Sequence, residues 1–567
     1  MSPARQVQLT LVGIFLGIFL AALDQTIVAT ALPHIVQDLG GVDKYAWVAT
    51  SYLLASTVGV PIFGRLADLV RAKVLLFWAV LIFLAGSALS GLSPSMNALI
   101  GFRGLQGIGG GALFAVAVTT IGLLIPPRER GRIQGAFGAV FGIASIVGPW
   151  LGGLLTDHLS WRWVFYINMP VGAVALWFIA RYMPAAAAPS RHRFDYWGAA
   201  TLILWTVPLL LALSWGGTTY PWTSPTELGL FALAALGLGL FVWVETHVPE
   251  PLFDLTLFQN PIFRYASLAL FFFGAAFLSA MFFLPLYLIQ VKGISATSSG
   301  LTLMPLTLGA VFGSVAGGQL ASRTGRYKPW MLIGNLWLLL NFLAMHYLID
   351  LDTPLWLVLA LMVSMGLGLG PSMPLYTLAV QNSVEPARMG TASSATQFFR
   401  QIGSTLGTAL LGAILAASLQ GAIQSHLPAG FKGGSISMRD PTAIEKRFAE
   451  SERATLEELR RALNGDREAV AKLKANPLLP EDFKAMLGRP VPPALRETIL
   501  KRVQDALKAR MEALKAEMQK ALDLAIVEAI RKVYLYGAGF VLLGFLATLL
   551  IPDAELKGQA HLAPAGD

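Results

Sequence analysis

The chain has 567 residues, of which 55 % are hydrophobic and 13 % charged, and it carries a formal net charge of +9. This balance excludes an ordinary soluble domain, and the absence of cysteine excludes disulfides, thiolate metal sites and cysteine nucleophiles. Nucleic acid is not expected as a partner, because the positive charge follows from membrane topology.

Apolar runs of about 20 residues, the length that crosses a bilayer, occur about fourteen times. No cleavable leader is expected before the first run, since the N-terminus offers no small-residue cleavage site. Lys and Arg gather in alternate loops, which predicts both termini in the cytoplasm. The runs are centred on Phe15, Leu54, Leu81, Val116, Val140, Ala173, Val207, Leu236, Phe277, Leu308, Leu338, Leu361, Leu406 and Leu543.

The first run, LGIFLAALDQTIVATALP, contains the carboxylate of Asp24. A charge at membrane depth is costly, and such a residue faces a partner or a water-filled path. The candidate partner is Arg103 in the fourth run, which the helix rise places at a similar depth. Protonation of Asp24 would release the arginine, which predicts a proton-coupling site. A permanent ion pair that joins helices 1 and 4 is the alternative.

Two basic connections have related sequences, GRLADLVRAK from residue 64 and GGQLASRTGRYK from residue 317. Asp68 lies at a helix end, where it can bind Arg or cap a neighbouring helix N-terminus. A basic loop that only sets the topology is the alternative to a gate. The predicted cytoplasmic gate consists of Gly64, Asp68, Arg71, Lys73, Arg323, Gly325 and Arg326.

The segment that begins at residue 107 aligns with the segment that begins at residue 366. The alignment pairs glycines 107, 109, 111, 131 and 148 with glycines 366, 368, 370, 390 and 407. Each segment enters and leaves the cytoplasm in the same sense, so the pattern predicts a parallel repeat of two transporter halves. Coincidence among tightly packed Gly-rich membrane helices is the alternative.

Arg400, in TQFFRQIGSTLG, is a third charge near the membrane midplane, and the second half has no acid at its depth. A cavity with one Asp and two Arg favours neutral or anionic amphiphiles over dications. The candidate residues for cavity charge or substrate contact are Arg400, Gln397, Asn335 and Gln25.

Residues 418–530 interrupt the apolar pattern with 19 Lys or Arg and 16 Asp or Glu. Prolines cut this insert into short helical pieces, and after Pro493 an amphipathic pattern predicts one long helix that continues into the last span. Its apolar stripe recurs nearly every four residues, so it is expected to pack on the other pieces rather than in a coiled coil. An exposed spacer without a partner is the alternative.

These motifs resemble the major facilitator superfamily and, within it, the fourteen-helix drug:proton antiporter branch. LDQTIVATALP and RGLQGIGGG resemble its helix 1 and helix 4 motifs, which implies roles in proton transfer for Asp24 and Arg103. GRLADLVRAK departs from the usual loop at Arg71 and Ala72, and Ser322 replaces the acid in the second copy. GIASIVGPWLGG is similar to the antiporter motif, in which Gly148, Pro149, Gly152 and Gly153 kink and pack helix 5.

The resemblance implies an all-α membrane protein with two six-helix halves and two inserted helices. The expected divisions are 1–183 for the first half, 184–260 for the linker with helices 7 and 8, 261–417 with 531–552 for the second half, 418–530 for the extracytoplasmic insert, and 553–567 for a cytoplasmic tail.

The predicted function is proton-driven export of a hydrophobic or amphipathic molecule, drug or lipid, by a monomer in a bacterial inner membrane. No Walker motif is present, so the proton gradient is the expected energy source and no cofactor or metal is expected. A lipid exporter with an extracytoplasmic acceptor protein, and a receptor or scaffold that acts through 418–530, are the alternatives. A membrane enzyme is disfavoured, because His34, His158, Asp350 and Asp352 are scattered.

Overall fold

The structure is a computed structural model, and its described residues form helices with no β-strand among them. This confirms the predicted all-α class. The described residues are 2–41, 44–184, 193–294, 303–426, 453–464, 466–476, 479, 481–487 and 492–556.

The helices follow the predicted apolar runs closely. They are α1 (Pro3–Leu39), α2 (Tyr45–Leu69), α3 (Ala72–Gly91), α4 (Met96–Leu124), α5 (Pro127–His158), α6 (Trp163–Tyr166), α7 (Asn168–Tyr182), α8 (Tyr196–Trp215), α9 (Pro225–His247), α10 (Pro261–Gln290), α11 (Met304–Thr324), α12 (Lys328–Leu348), α13 (Leu355–Leu369), α14 (Ser372–Ser383), α15 (Met389–His426), α16 (453–463), α17 (Arg467–Ala475), α18 (Glu481–Met486) and α19 (Pro493–Leu549). Short 3₁₀ turns lie at Leu255–Gln259 and Pro386–Arg388.

Thirteen helices in the described part of the chain are long and apolar enough to cross a membrane. The remaining predicted span, centred on Phe277, falls on α10, where Pro261–Phe277 is a shorter apolar stretch. The multi-pass architecture is therefore established, whereas the count of fourteen stays a prediction.

Contacts divide the chain into two compact units, Met1–Leu415 with Ile530–Asp567, and Ala416–Ala529. The second unit has an apolar core of its own, which consists of Leu459, Leu473, Leu479, Val503, Leu507, Met511 and Leu514. The stripe of the long helix packs on the shorter pieces, as predicted. That helix is continuous over the 57 residues of α19, so the expected run into the last span is confirmed. The part of the predicted insert at 427–452 lies outside the described residues.

The aligned glycines make equivalent contacts in the two halves of the first unit. A Cβ on Gly109 would lie 2.7 Å from the Phe83 Cα of α3, and a Cβ on Gly368 would lie 3.0 Å from the Leu338 Cα of α12. Gly107 likewise meets α2, and its counterpart Gly366 meets α11. In the first half α4 packs between α2 and α3, and in the second half α13 packs between α11 and α12 in the same way. This equivalence supports the predicted repeat over a coincidence of glycine positions.

Two seams join the halves at the bundle end that carries the α2–α3 connection. In the α2–α15 seam, a Cβ on Gly64 would lie 2.9 Å from the carbonyl oxygen of Gly390. In the α5–α11 seam, a Cβ on Gly131 would lie 2.8 Å from the carbonyl oxygen of Gly318. Both seams depend on glycine because any side chain there would separate the two backbones.

Candidate functional site

Asp24 and Arg103 form a buried ion pair between α1 and α4. Arg103 Nη1 lies 2.5 Å from Asp24 Oδ2, and the two side chains are 2 % and 0 % exposed. The structure thus brings together the two residues that depth alone had paired. A charge pair removed from solvent in this way survives only when its remaining polar atoms are also bonded.

Neighbouring amides complete the hydrogen bonding of the carboxylate. Gln106 Nε2 donates to Asp24 Oδ1 at 2.8 Å, and Asn168 Nδ2 donates to the same oxygen at 3.3 Å. Asn168 also donates to Ser87 Oγ at 3.0 Å, which ties α7 to α3. The sequence analysis missed both amides, although each is a polar residue inside an apolar helix, and Gln106 follows Arg103 by one turn.

The guanidinium of Arg103 is enclosed on its other sides. Its Nη1 donates to Gln106 Oε1 at 2.8 Å and its Nε donates to the carbonyl oxygen of Val48 at 3.3 Å. The rings of Tyr52 and Phe165 lie 4.5 Å and 5.8 Å from its Cζ, in the range of a cation–π contact. Five helices, α1, α2, α4, α6 and α7, therefore surround the charges, and Asp24 has no exposed surface in this conformation.

Glycines on α4 make this enclosure possible. A Cβ on Gly107 would lie 2.9 Å from the Tyr52 Cα, and a Cβ on Gly110 would lie 3.0 Å from the Tyr52 Cζ. The missing side chains let α2 approach α4 closely enough to lay the Tyr52 ring over Arg103. The run RGLQGIGGG thus supplies both the charge and the space around it.

Asp68 caps α15 across the α2–α15 seam. Its Oδ1 accepts a bond from the backbone N–H of Gly390 at 2.7 Å. Its Oδ2 accepts bonds from the backbone N–H of Thr391 at 2.8 Å and from Thr391 Oγ1 at 2.7 Å. A carboxylate at a helix N-terminus bonds orphan amides and is favoured by the helix dipole. Of the two partners expected for Asp68, the structure shows the helix cap.

The second seam lacks such a cap. Ser322 occupies the position that corresponds to Asp68, and its hydroxyl has no hydrogen-bond partner among the described residues. The reason lies in where the helices begin. Gly390 is in the first turn of α15, whereas its counterpart Gly131 lies one turn inside α5, which starts at Pro127. The amides of α5 at this position are already used within the helix, so an acid would find no free donor.

The other predicted gate residues do not form one charge network. Arg71 is exposed, and Lys73 Nζ donates to the carbonyl oxygen of Met183 at 2.9 Å within its own half. Gly325 ends α11 with a φ of +68°, a conformation that favours glycine. Arg326 forms ion pairs with Asp553 and Glu555, which follow α19. Arg323 lines a cavity of about 360 Å³ with Arg128, Glu129, Arg132, Gln319 and Ser322.

The antiporter-motif glycines differ in what they touch. A Cβ on Gly148 would lie 3.3 Å from the Ile27 backbone N, and a Cβ on Gly152 would lie 2.9 Å from the Ile27 carbonyl oxygen, so both pack α5 on α1 as expected. Gly153 does not share this role, because a Cβ there would meet nothing within 4 Å. Helix α5 continues through Pro149.

The four cavity candidates lie in different surroundings. Arg400 is half-buried, and its Nε donates to Gln397 Oε1 at 3.1 Å. Gln25 is exposed on α1. Asn335, in contrast, is buried and donates to Tyr376 Oη at 2.7 Å and to Thr548 Oγ1 at 3.1 Å. Asn335 therefore joins α12, α14 and α19 and is not free to face a cavity, which corrects that expectation.

Residues 14–408 match the sequence profile of the Major Facilitator Superfamily. The multidrug transporter protein MdtP of Bacillus subtilis (strain 168) is 43 % identical over 409 residues, which cover 72 % of this chain and 75 % of the relative. Multidrug resistance protein 3 of the same organism is 41 % identical over 402 residues, 71 % of this chain and 78 % of the relative. The profile match ends before the second unit begins.

Solved structures share the fold at low identity. The proton:xylose symporter XylE has a TM-score of 0.54 and 13 % identity, with 74 % of this chain and 91 % of that chain covered. The human organic anion transporter MFSD10 has a TM-score of 0.53 and 16 % identity, with 73 % and 94 % covered. Such identities establish a shared architecture and no shared substrate.

Proposed function

The chain belongs to the Major Facilitator Superfamily, and we propose that it exports hydrophobic or amphipathic small molecules in exchange for protons. Membership confirms the resemblance seen in the motifs and makes the chain a multi-pass membrane transporter rather than an enzyme. Two relatives that share more than 40 % of their aligned residues carry multidrug names, which favours drug-like cargo over lipid.

The observation that carries the proton-coupling proposal is the buried pair of Asp24 and Arg103. Ionised Asp24 on α1 holds Arg103 and Gln106 of α4 and Asn168 of α7, so the carboxylate joins three helices. A proton on the carboxylate would cancel the charge attraction and leave Arg103 in contact with Gln106 and the Tyr52 ring. Since the pair joins α1 to α4, its release would loosen the packing between those helices and permit the bundle to change conformation.

The seams suggest how this change alternates access. With the halves in contact at the α2–α15 and α5–α11 seams, the bundle is closed at that end. Under the predicted topology this end faces the cytoplasm, so we assign the conformation to the outward-facing side of the cycle. Protonation of Asp24 from outside would then favour separation of the seams, entry of cargo from the cytoplasm and delivery of the proton there.

The remaining features of the proposal rest on sequence. We propose a monomer in a bacterial inner membrane with both termini in the cytoplasm and 418–530 outside, driven by the proton gradient without a cofactor. The second unit is proposed to contact an extracytoplasmic protein. Deletion of 427–492 separates a pump from a scaffold, because a pump retains proton-driven efflux after the deletion, whereas a scaffold loses its activity.

The coupling proposal is tested by Asp24→Asn in proteoliposomes loaded with neutral, anionic and cationic lipophilic dyes. We expect dye movement driven by a pH gradient to be abolished while dye exchange without a gradient persists. Arg103→Ala should be nearly as severe. Asp157→Asn, which changes an exposed acid on α5, is the matched control and should transport normally. Unaltered gradient-driven transport by Asp24→Asn would reject the proposal.

A further inference from the structure

A second pair of buried carboxyl groups lies at one end of the α8–α9 hairpin, outside the site described above. Asp195 is the N-cap residue of α8 and Glu245 is in the last turn of α9. Their side chains are only 7 % and 4 % exposed. Neither residue forms an ion pair with any cation in the described ranges, so no cation contacts this acid pair directly.

One oxygen of each carboxyl group is anchored and the other is not. Asp195 Oδ1 accepts a bond from the backbone N–H of Gly198 at 2.8 Å, and Glu245 Oε2 accepts a bond from the backbone N–H of Phe253 at 2.9 Å. The buried oxygens Asp195 Oδ2 and Glu245 Oε1 have no hydrogen-bond partner among the described residues. Leaving two such acceptors unpaired away from water is costly.

The two unpaired oxygens lie beside the same glycine. A Cβ on Gly198 would lie 2.6 Å from Glu245 Oε1 and closer still to Asp195 Oδ2. The missing side chain of Gly198 thus leaves a space that both oxygens border. A single proton between them would turn one carboxyl group into a donor, satisfy both oxygens and remove the repulsion between two buried anions.

We propose that Asp195 and Glu245 together hold one proton, and that they form a second proton-binding site separate from Asp24. The proton comes from solvent and returns to solvent, with no other change of bonds. The charged groups that face Glu245 from the surrounding elements are Asp195, Asp254 after α9, and Arg65 on α2. Asp254 is itself paired with Arg388 at 2.9 Å, so its negative charge is largely compensated and adds little repulsion at the site.

The site is connected to the α2–α15 seam by side-chain contacts. Phe253, whose N–H binds Glu245, packs its ring 5.9 Å from that of Phe399 on α15. Arg65 precedes Asp68 on α2 by one turn. Gain or loss of the shared proton therefore acts on the segment that links the α8–α9 hairpin to both partners of the α2–α15 seam. This inference goes beyond the coupling role of Asp24 and does not depend on it.

Infrared difference spectroscopy of the purified full chain in lipid nanodiscs, during a pH change, tests the site. The wild type should show the carbonyl band of a protonated carboxylic acid at neutral pH, which disappears as the pH rises. Glu245→Gln and, independently, Asp195→Asn should each remove that band. Asp352→Asn, at an exposed acid, is the control and should retain it. Other buried carboxyl groups, such as Glu227, are present in every variant, so the readout is the difference between the wild type and each variant.

Thermal unfolding provides a second readout. Because the folded pair binds a proton that the unfolded chain has already released at neutral pH, wild-type stability should fall as the pH rises. Glu245→Gln keeps an acceptor for the Phe253 N–H and adds a permanent donor towards Asp195, so its unfolding temperature should lose this pH dependence. A carboxylic acid band retained at the full wild-type intensity in both amide variants, or no such band in the wild type, would overturn the proposal.

Discussion

A double-mutant cycle on Asp24 and Arg103 measures how strongly the buried pair holds the bundle. Asp24→Asn keeps the shape but leaves the Arg103 charge buried with Gln106 and the Val48 carbonyl oxygen as its polar partners. Removing one partner of a buried ion pair typically costs about 3–5 kcal/mol. Arg103→Met leaves the carboxylate buried with two amides, and the expected loss is of the same size.

The double variant separates pairing from desolvation. With both charges gone, no buried ion is left uncompensated, and replacing a buried pair by apolar groups is often close to neutral. We therefore expect Asp24→Asn with Arg103→Met to unfold near the wild-type midpoint, with a coupling energy of at least ~3 kcal/mol between the two changes. Reversible unfolding of the full chain in mixed micelles with increasing dodecyl sulfate, followed by circular dichroism, gives the four free energies.

The exposed pair of Asp38 and Arg162 is the matched control. Its nitrogen and oxygen are 2.7 Å apart, yet the side chains are 49 % and 34 % exposed. A pair in solvent contributes about 0–1 kcal/mol, so the same cycle there should give little coupling. If the losses at Asp24 and Arg103 add within ~0.5 kcal/mol, the two charges act independently and the reasoning from burial is refuted.

The other predictions concern the seam and the second unit. Asp68→Ala removes three hydrogen bonds from α15 and should destabilise the closed seam by about 2–3 kcal/mol. The chain has no cysteine, so Ser394→Cys provides a single labelling site, which should react much faster with a maleimide when Asp68 is replaced. Unchanged labelling would contradict the cap. Gly390→Ala should open the same seam because its Cβ would lie 2.6 Å from Asp68 Oδ1, whereas Gly153→Ala, with nothing within 4 Å, should change neither labelling nor transport. Backbone N–H groups of α17 donate to Asp466 and hold the pKa of that carboxyl below 3.8, so the ionised cap stabilises α17 above this pH and the stabilisation is lost as the pH falls further. Backbone hydrogen exchange in α17 should be faster in Asp466→Ala but not in Asp466→Asn, because Asn can still accept these bonds.

Features that depend on local pattern or on depth could be predicted from the sequence. The length of each apolar run indicated where a helix spans the membrane. The rise per residue of an α-helix then placed Asp24 and Arg103 at a similar depth in the membrane without any knowledge of their contact. The continuous helix α19 followed from an uninterrupted amphipathic pattern. In each case the information lies within a few turns of one helix, where the geometry is fixed by the 1.5 Å rise.

Features that depend on a distant helix could not be predicted. A lone Asn inside an apolar run can face a cavity or another helix, and the choice for Asn335 is set by Thr548, more than 200 residues away. Gly153 belongs to the same motif as Gly148, yet only the neighbours of each glycine decide whether it packs. Asp195 and Glu245 lie at the same end of two consecutive spans, but neither span indicates that their side chains come together.

The capped and uncapped seams have a consequence for how the halves move apart. On one side, Gly390 and Thr391 are held by a carboxylate whose charge a single proton removes. On the other side, Gly131 meets Gly318 through backbone contact, and Ser314 donates a neutral bond to the Gly135 carbonyl oxygen. A lower pH can therefore weaken the α2–α15 seam and leaves the α5–α11 seam nearly unchanged. The two halves would then separate by rotating about the α5–α11 seam, so that α2 and α15 move apart first.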